Sequence, residues 1–211
     1  MSRTPAPLRP LGVRRPEGGR HTERVTAMRK LVYAVHTSLD GRVEGPGGEF
    51  DWAAMGPELS AHSQELVDRA DTFAYGRRVW DMMSSYWPQA ESISDHPHDL
   101  RFAPIWRKTP KIVFSRTLES ADWNTEVVAG DLAERVTELK GRPGKDLLLM
   151  GGAELAATLA DLGLIDEFHV VVHPVVLGGG KQVLAGGART DLRLTGTRTM
   201  DGRAVLQTYE K

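Results

Sequence analysis

The chain has 211 residues, 40% of them hydrophobic, no cysteine and a formal net charge of −1. This length suits a single domain, and the hydrophobic fraction supplies a core, which excludes wholesale disorder. The absence of cysteine excludes a disulfide scaffold, a Cys-ligated metal site and a thiol nucleophile, and it is compatible with a reducing cytoplasm. The sequence contains no run of eighteen apolar residues, so no membrane-spanning helix is expected. The near-neutral net charge gives no reason to expect nucleic acid as a partner.

Residues 1–27 differ in composition from the rest of the chain. They hold six arginines, two glutamates and four prolines, so that residues 28–211 carry a net charge of −5. With so few large apolar residues, the segment 1–27 is predicted to be a disordered basic tail, and residues 28–211 are predicted to form one domain. A basic arm or a transit peptide is the alternative interpretation of the tail, and Met28 is a candidate translation start.

From residue 30 onward, short β-rich runs alternate with segments of helical periodicity. Strands are predicted at 30–37, 72–75, 111–114, 126–128, 146–150, 167–176, 191–199 and 203–210. Helices are predicted at 57–70, 77–84, 98–107, 131–139 and 153–162.

Two kinds of predicted strand differ in their pattern. The run 147–150 is apolar without alternation, which is typical of parallel strands covered by helices on both faces. Residues 193–199 and 204–209 alternate around Asp201 and Gly202, a hairpin signal. The sequence therefore predicts an α/β fold with a mixed, mostly parallel sheet that ends in an antiparallel hairpin.

Three predicted strands end on residues suited to phosphate. Residues 76–78 read G-R-R, residues 115–116 read S-R, and residues 151–155 read G-G-A-E-L before a helix. The helix N-termini after the glycines offer free backbone N–H groups, and guanidinium groups complement phosphate charge. Taken singly, each segment is equally consistent with an ordinary glycine or Ser/Thr turn beside solvated arginines.

Other patterns argue against metal-dependent or P-loop chemistry. The G-G-G-K run at 178–181 fails the P-loop spacing. His169 and His173 lie four apart on a predicted strand, about 13 Å from each other, which is too far to chelate one metal. His96 and His98 fall in a polar loop, where solvent exposure is the expectation. We therefore expect no metal.

Taken together, the motifs are more specific for one protein family than any of them is alone. In chain order they read T-S-L-D-G at 37–41, G-R-R at 76–78, S-R-T-L at 115–118, G-G-A-E at 151–154 and P-V-V-L-G-G-G at 174–180. This series resembles the dihydrofolate reductase-like superfamily, in particular the branch of the C-terminal reductase domain of the bacterial riboflavin-biosynthesis deaminase-reductase. The resemblance covers residues 29–210. It implies a three-layer fold around an eight-stranded mixed sheet, NADPH across the strand ends, and a homodimer.

The resemblance implies twelve cofactor-binding residues in four places. They are Ala34 and Val35 beside the nicotinamide; Gly76, Arg77 and Arg78 at the phosphates; Ser115 and Arg116 at the adenosine 2′-phosphate; and Gly151, Gly152, Ala153, Glu154 and Leu155 at the pyrophosphate. It also implies a cis peptide bond between the paired glycines. Val79 stands where the family often has a threonine, so one hydrogen bond to phosphate is expected to be missing.

The substrate side is less well specified by the resemblance. Asp40, near the nicotinamide end of the first loop, is the candidate catalytic residue, with a simple Asp-Gly turn as the alternative. The helix carboxylates that a folate reductase would use have no secure counterpart; the candidates are Asp51, Glu58 and Glu65. The candidate pocket residues are Phe50, Trp52 and Met55 in an apolar loop, with a non-catalytic lid as the alternative, and Leu177 and Gly178 in the glycine loop.

These expectations lead to one function and two rivals. The predicted function is an NADPH-dependent reductase that transfers a hydride to a C=N or C=O group of a small heterocycle of pterin or pyrimidine type. The rivals are a non-catalytic NADP-binding or regulatory protein of the same fold and a dimeric scaffold without a ligand. The missing cysteines argue against an attached zinc deaminase, which uses a P-C-x-x-C motif.

Overall fold

The structure is a computed structural model and describes residues 28–211. The tail predicted at 1–27 lies outside the described residues. The strands are β1 (Leu31–Thr37), β2 (Ala70–Gly76), β3 (Lys111–Phe114), β4 (Thr125–Val128), β5 (Asp146–Met150), β6 (Glu167–Val172), β7 (Arg193–Met200) and β8 (Ala204–Glu210). The helices are α1 (Pro57–Arg69), α2 (Arg77–Tyr86), α3 (Ala90–Ile93), α4 (Pro97–Lys108), α5 (Leu132–Gly141) and α6 (Ala153–Asp161), with a 3₁₀ turn at Trp87–Gln89.

The eight strands form one mixed sheet in the order β4-β3-β2-β5-β1-β6-β8-β7. Neighbouring strands from β4 to β6 are parallel, and β8 is antiparallel to both β6 and β7. The predicted mixed, mostly parallel sheet with a C-terminal antiparallel hairpin is confirmed.

The central strands have an apolar side chain on each face, as their continuous apolar runs predict. In β1, Leu31, Tyr33 and Val35 pack into a core with α5 and α6, whereas Val32 packs into a second core with α1, α2 and α4. The sheet is therefore the middle of three layers, and its parallel part is covered on both sides.

Two differences from the predicted elements have local causes. Strand β6 ends at Val172 rather than at residue 176, because Pro174 has no N–H to continue a ladder. Residues 87–93 are helical where no helix was predicted, and Pro88 occupies the first turn, where proline is tolerated. Helix α4 continues through Pro104.

The hairpin between β7 and β8 also orients α1. Asp201 has a positive φ of 53°, and its carboxylate accepts the backbone N–H groups of Glu58 and Leu59 at 2.8 and 3.2 Å. The N-cap residue Gly56 provides no side-chain cap, so Asp201 supplies one from 143 residues away. Among residues 28–211, none of the helices combines the length and the apolar character needed to cross a membrane.

Candidate functional site

A cavity of about 800 Å³ opens at the carboxyl ends of the parallel strands. Its floor is β1 at Ala34, Val35 and His36, and its walls are the segments that follow β2, β3 and β5 together with α1, α4 and the loop after β1. The carboxyl edge of a parallel sheet collects the helix N-termini, which makes it the usual ligand-binding edge of an α/β protein.

All twelve residues predicted to bind the cofactor line this one cavity. They are Ala34, Val35, Gly76, Arg77, Arg78, Ser115, Arg116, Gly151, Gly152, Ala153, Glu154 and Leu155. We call the ten residues from Gly76 to Leu155 in this set, which follow β2, β3 and β5, the glycine side of the cavity.

Two helices begin on the glycine side with free backbone donors. Helix α2 follows Gly76, and α6 follows Gly152, and neither N-terminus has a side-chain cap. The first N–H groups of each helix therefore have no intrahelical or side-chain acceptor, and the helix dipole adds partial positive charge there. Two such N-termini at one cavity suit an anion with two phosphate groups.

The paired glycines allow the backbone itself to form the cavity wall. Gly151 and Gly152 have φ values of +65° and +78°, which side chains rarely adopt. A Cβ on Gly152 would lie 3.6 Å from the side chain of Val79, so Val79 packs beneath the turn. The predicted cis peptide bond is wrong: the Gly151–Gly152 bond is trans, and the left-handed φ angles make the turn.

Positive charge is concentrated on the same side. Arg77 pairs with Asp81 at 2.8 Å, while Arg78 approaches Glu44 only to 3.8 Å and is largely exposed. Lys181 reaches Glu154 at 2.7 Å from the glycine loop. Exposed Arg116 lines the cavity as well, so three guanidinium groups stand around the glycine turns.

Ser115 shapes the turn that carries Arg116. The buried hydroxyl oxygen of Ser115 accepts the backbone N–H groups of Thr117 and Leu118 at 3.2 and 3.1 Å. This is the Ser/Thr turn considered as the alternative, and it leaves the hydroxyl proton of Ser115 able to donate.

The predicted substrate-pocket residues divide into two groups. Phe50 and Met55 line the cavity, whereas Trp52, Leu177 and Gly178 do not. Trp52 lies behind the wall, with its ring edge-on to Phe50 at 5.3 Å between centroids.

Asp40 holds the loop rather than facing the cavity. Its carboxylate accepts the Ser38 hydroxyl at 2.7 Å and the backbone N–H groups of Leu177 and Gly178 at 3.1 and 2.9 Å. These hydrogen bonds lower the pKa of Asp40 to about 2. An ionised carboxylate has no proton to donate at neutral pH, so the geometry gives Asp40 the turn-forming role that was its alternative.

None of the three carboxylates considered as proton donors lines the cavity either. Asp51 is exposed, Glu58 binds the backbone N–H of Asp201, and Glu65 lies near His62 at 3.4 Å. Among residues 28–211, the acidic side chains that line the cavity are Glu44 and Glu154, both close to Lys181.

The other part of the cavity lining consists of aromatic and histidine side chains, and of these only Phe50 was assigned to the site from the sequence. We call this wall the histidine side. It consists of His36, Phe50, His62, Trp87, His98, Phe102 and His169.

The histidines of this wall contact other histidines, a serine or a glutamate, since His169 Nε2 lies 2.6 Å from Glu167 Oε1. His36 Nδ1 lies 2.8 Å from Nε2 of His173, and His62 Nε2 lies 3.1 Å from Nδ1 of His169. His98 Nδ1 lies 3.1 Å from the hydroxyl of Ser60, and His98 is 8% exposed. The expectation that His98 faces solvent is therefore wrong, because α4 turns its ring into the aromatic core, whereas His96 is exposed.

Burial favours the neutral form of four of these imidazoles. Burial, with the neighbouring His173 as the next cause, lowers the pKa of His36 to about 3. Burial also lowers the pKa values of His62, His98 and His173. A neutral imidazole offers one N–H donor and one acceptor, so His36, His62 and His98 provide hydrogen bonding to the cavity without charge. Between residues 28 and 211 there is no group of three or more His, Asp or Glu side chains placed to hold a metal ion.

The family of this chain follows from a match to a protein-family model. The model described as the RibD C-terminal domain matches residues 29–206. The chain belongs to the RibD C-terminal domain family. The resemblance inferred from the motifs is confirmed.

Two relatives in Bacillus subtilis (strain 168) match almost along their whole lengths. The uncharacterized protein YyaP is 35% identical over 182 residues, which are 86% of this chain and 94% of YyaP. The uncharacterized protein YwjB is 27% identical over 183 residues, covering 86% of this chain and 97% of YwjB.

Solved structures share the fold at low sequence identity. A protein of Shewanella sp. PV-4 assigned to riboflavin biosynthesis superposes with a TM-score of 0.67 at 23% identity, covering 86% of this chain and 98% of the other. The diaminohydroxyphosphoribosylaminopyrimidine deaminase/5-amino-6-(5-phosphoribosylamino)uracil reductase of Thermotoga maritima gives 0.61 at 15%, covering 87% and 56%. Dihydrofolate reductase of Enterococcus faecalis complexed with NADP(H) gives 0.57 at 11%, covering 86% and 95%. The fold is dihydrofolate reductase-like.

Proposed function

We propose that this member of the RibD C-terminal domain family is an NADPH-dependent reductase that transfers a hydride to a C=N or C=O group of a small, flat heterocycle of pterin or pyrimidine type. The observation that carries the proposal is that one cavity is lined by two kinds of surface: the glycine side, with its uncapped helix N-termini and its arginines, and the histidine side, with its aromatic and imidazole rings. A dinucleotide and a planar substrate need these two environments side by side.

The glycine side fits the chemistry of NADPH. Uncapped N-termini of α2 and α6 present backbone N–H groups to a pyrophosphate, and Gly152 leaves no Cβ in its path. Arg77 and Arg78 supply positive charge at the phosphates, and Arg116, together with Ser115, supplies the contacts for the additional 2′-phosphate. Ala34 and Val35 give a smooth floor on β1. When bound, NADPH supplies the hydride.

The histidine side fits a flat and weakly polar partner. Phe50 and Phe102 provide ring surfaces, and His36, His62 and His98, whose pKa values are lowered by burial, provide hydrogen bonding without net charge. This wall orients the substrate and keeps water away from it.

Cofactor binding is tested first. Saturating NADPH is expected to raise the Tm of the protein, and NADH is expected to raise it less, because NADH lacks the 2′-phosphate. The Arg116→Ala variant should lose NADPH affinity by about tenfold and NADH affinity much less. Arg189→Ala, in an exposed pair with Asp191, is the matched control. If neither NADPH nor NADH changes the Tm of the wild-type protein, the proposal that the protein binds NADPH is wrong.

Turnover is tested next with a panel of dihydrofolate, pterin and aminopyrimidine substrates, by loss of the NADPH absorbance. A non-catalytic NADP-binding protein is the second candidate, because no acidic side chain of residues 28–211 lines the aromatic wall of the cavity. NADPH binding without turnover of any panel member would favour that candidate.

We also propose a homodimer in a reducing cytoplasm. Strand β7 is an edge of the sheet, and Leu194 on it is 54% exposed, so its unpaired backbone groups can contact a second copy. Light scattering coupled to size-exclusion chromatography should give twice the 23.2 kDa chain mass. A single chain mass at micromolar concentration would exclude this dimer.

A further inference from the structure

A pair of histidines joins the end of β1 to the segment after β6. His36 lies two residues beyond Ala34 on β1, and its Nδ1 is 2.8 Å from Nε2 of His173. His173 is 1% exposed. Phe50 packs edge-on against His36 and Trp52 edge-on against His173, with centroids 6.5 and 5.5 Å apart. Both rings are therefore held in place, which fixes where the second nitrogen of each ring points.

The buried nitrogen of His173 decides which ring donates the shared proton. Nδ1 of His173 is buried and has no hydrogen-bond partner among the described residues. If His36 donated to His173, the proton of the neutral His173 ring would sit on Nδ1 as a buried, unpaired N–H. If His173 donates from Nε2, Nδ1 carries only a lone pair. Orphaned buried N–H groups are the rarer of the two defects, so His173 is the donor.

The donor assignment fixes the tautomer of His36. Its Nδ1 accepts the proton from His173, so its own proton sits on Nε2. In the part of the chain that the structure describes, His36 Nε2 has no hydrogen-bond partner, yet it is not among the solvent-inaccessible unpaired atoms. Since His36 lines the cavity, Nε2 presents an N–H donor to whatever occupies it.

The ring stays neutral in its surroundings. The groups that face it are His173 from the segment after β6, His62 from α1 and His98 from α4, and together with burial they lower its pKa to about 3. A neutral donor next to the floor of the cavity recognises a hydrogen-bond acceptor without requiring that acceptor to be charged.

We propose that His36 anchors the substrate by donating a hydrogen bond from Nε2 to a carbonyl oxygen or C=N nitrogen of the heterocycle, with His173 as the positioning residue that holds the tautomer. This assignment rests on the reductase function proposed above. Reduction of a C=O or C=N carbon builds negative charge on the attached heteroatom, and a fixed N–H donor at that atom stabilises the charge. Heterocycles that present only donor groups to His36 are excluded.

The first experiment needs neither substrate nor cofactor. Long-range ¹H–¹⁵N spectra of the ¹⁵N-histidine-labelled chain at pH 7 assign the proton on each imidazole. His36 and His173 are both expected as Nε2–H tautomers, with the His173 proton protected from exchange and the His36 proton exchanging faster. In His173→Phe, which keeps a ring beside Trp52, His36 should become a mixture of tautomers. A wild-type His36 protonated on Nδ1, or a His36 unchanged in His173→Phe, would overturn the assignment.

The second experiment uses the substrate that the turnover panel yields. His36→Phe should lower kcat/KM at least about tenfold while the NADPH-induced Tm shift stays unchanged, and His36→Gln, whose amide can donate, should recover part of the loss. His96→Phe, an exposed histidine outside the cavity, is the control. Full activity in His36→Phe would overturn the anchoring role. A panel without turnover would count against the reductase, while the tautomer measurement still decides the histidine pair.

Discussion

The two walls of the cavity are built in different ways. The glycine side consists of backbone at three turns, each directly after a parallel strand, with guanidinium groups from the same turns. The histidine side consists of side chains brought together from β1, the loop after β1, α1, the 3₁₀ turn, α4 and β6. A backbone-lined wall depends on dihedral angles at a few residues, whereas a side-chain wall depends on packing across the whole domain.

Because the histidine side depends on packing, we expect removal of a large buried side chain there to destabilise the domain. Phe102 is 3% exposed and packs on Trp87 with ring centroids 4.5 Å apart and on Phe73 at 6.0 Å. Phe102→Ala is expected to lower the free energy of unfolding by about 3–5 kcal/mol, measured by urea denaturation. Leu100→Ala, exposed on the same helix, is the control. A loss below about 1 kcal/mol would mean that this wall is not a packed part of the core.

The glycine side should instead lose function at a single backbone position. Gly152→Ala forces an L residue to a φ of +78° and places a methyl group 3.6 Å from Val79. The expected cost is about 1–2 kcal/mol of unfolding free energy, together with loss of the NADPH-induced Tm shift. Gly130→Ala, where a Cβ meets no neighbour, should change neither quantity. An unchanged NADPH response in Gly152→Ala would show that the turn does not contact the cofactor.

Acid should affect the histidine side before the glycine side. Unfolded histidine binds a proton near pH 6.5, whereas the folded pKa of His36 is lowered to about 3. Between these values the unfolded state holds more protons, so stability is full above pH 6.5 and falls as pH decreases, by up to about 1.4 kcal/mol per pH unit for one such group. Urea denaturation at pH 7.5, 6 and 5 measures the slope. His36→Gln should reduce it and His96→Gln should not; equal slopes in all three proteins would contradict the neutral pair.

The smallest effect is expected at Asp40, which belongs to neither wall. Because its pKa is lowered to about 2, its contribution is present above the unfolded pKa of about 3.9 and is lost as pH falls from there through 2. Asp40→Asn should lower the Tm modestly at pH 7 and flatten the Tm profile between pH 4 and 2. Asp95→Asn, at an exposed position, is the comparison. If the Tm of Asp40→Asn falls between pH 4 and 2 as steeply as that of the wild type, the Asp40 carboxylate does not stabilise the 177–178 loop.

The same contrast explains how much of the site the sequence predicted. The strand-to-turn junctions at Gly76 and Gly151 could be located because strand pattern, glycine and helix start are adjacent in the chain, and the junction at Ser115 because a serine and an arginine directly follow a strand pattern. Their convergence on one cavity follows from the parallel order of the strands. His62 had one usable signal, its position on the apolar stripe of the predicted helix 57–70. His36 had none, since its partner is 137 residues away.

The sequence was enough to predict most elements, the mixed sheet with its terminal hairpin, the family and the turns of the glycine side, because periodicity and turn chemistry are local properties. It missed the helical residues 87–93 and the end of β6. The tertiary structure alone decided three further features. His36 pairs with His173, His62 pairs with His169 across 107 residues, and Asp201 caps α1 across 143 residues. The tertiary structure also gives Asp40, the candidate catalytic residue, the turn-forming role that was its alternative. Each of these contacts depends on which side chains the packed layers bring within hydrogen-bond distance. The partners are far apart in the chain, so the contacts cannot be predicted before the sheet order is known.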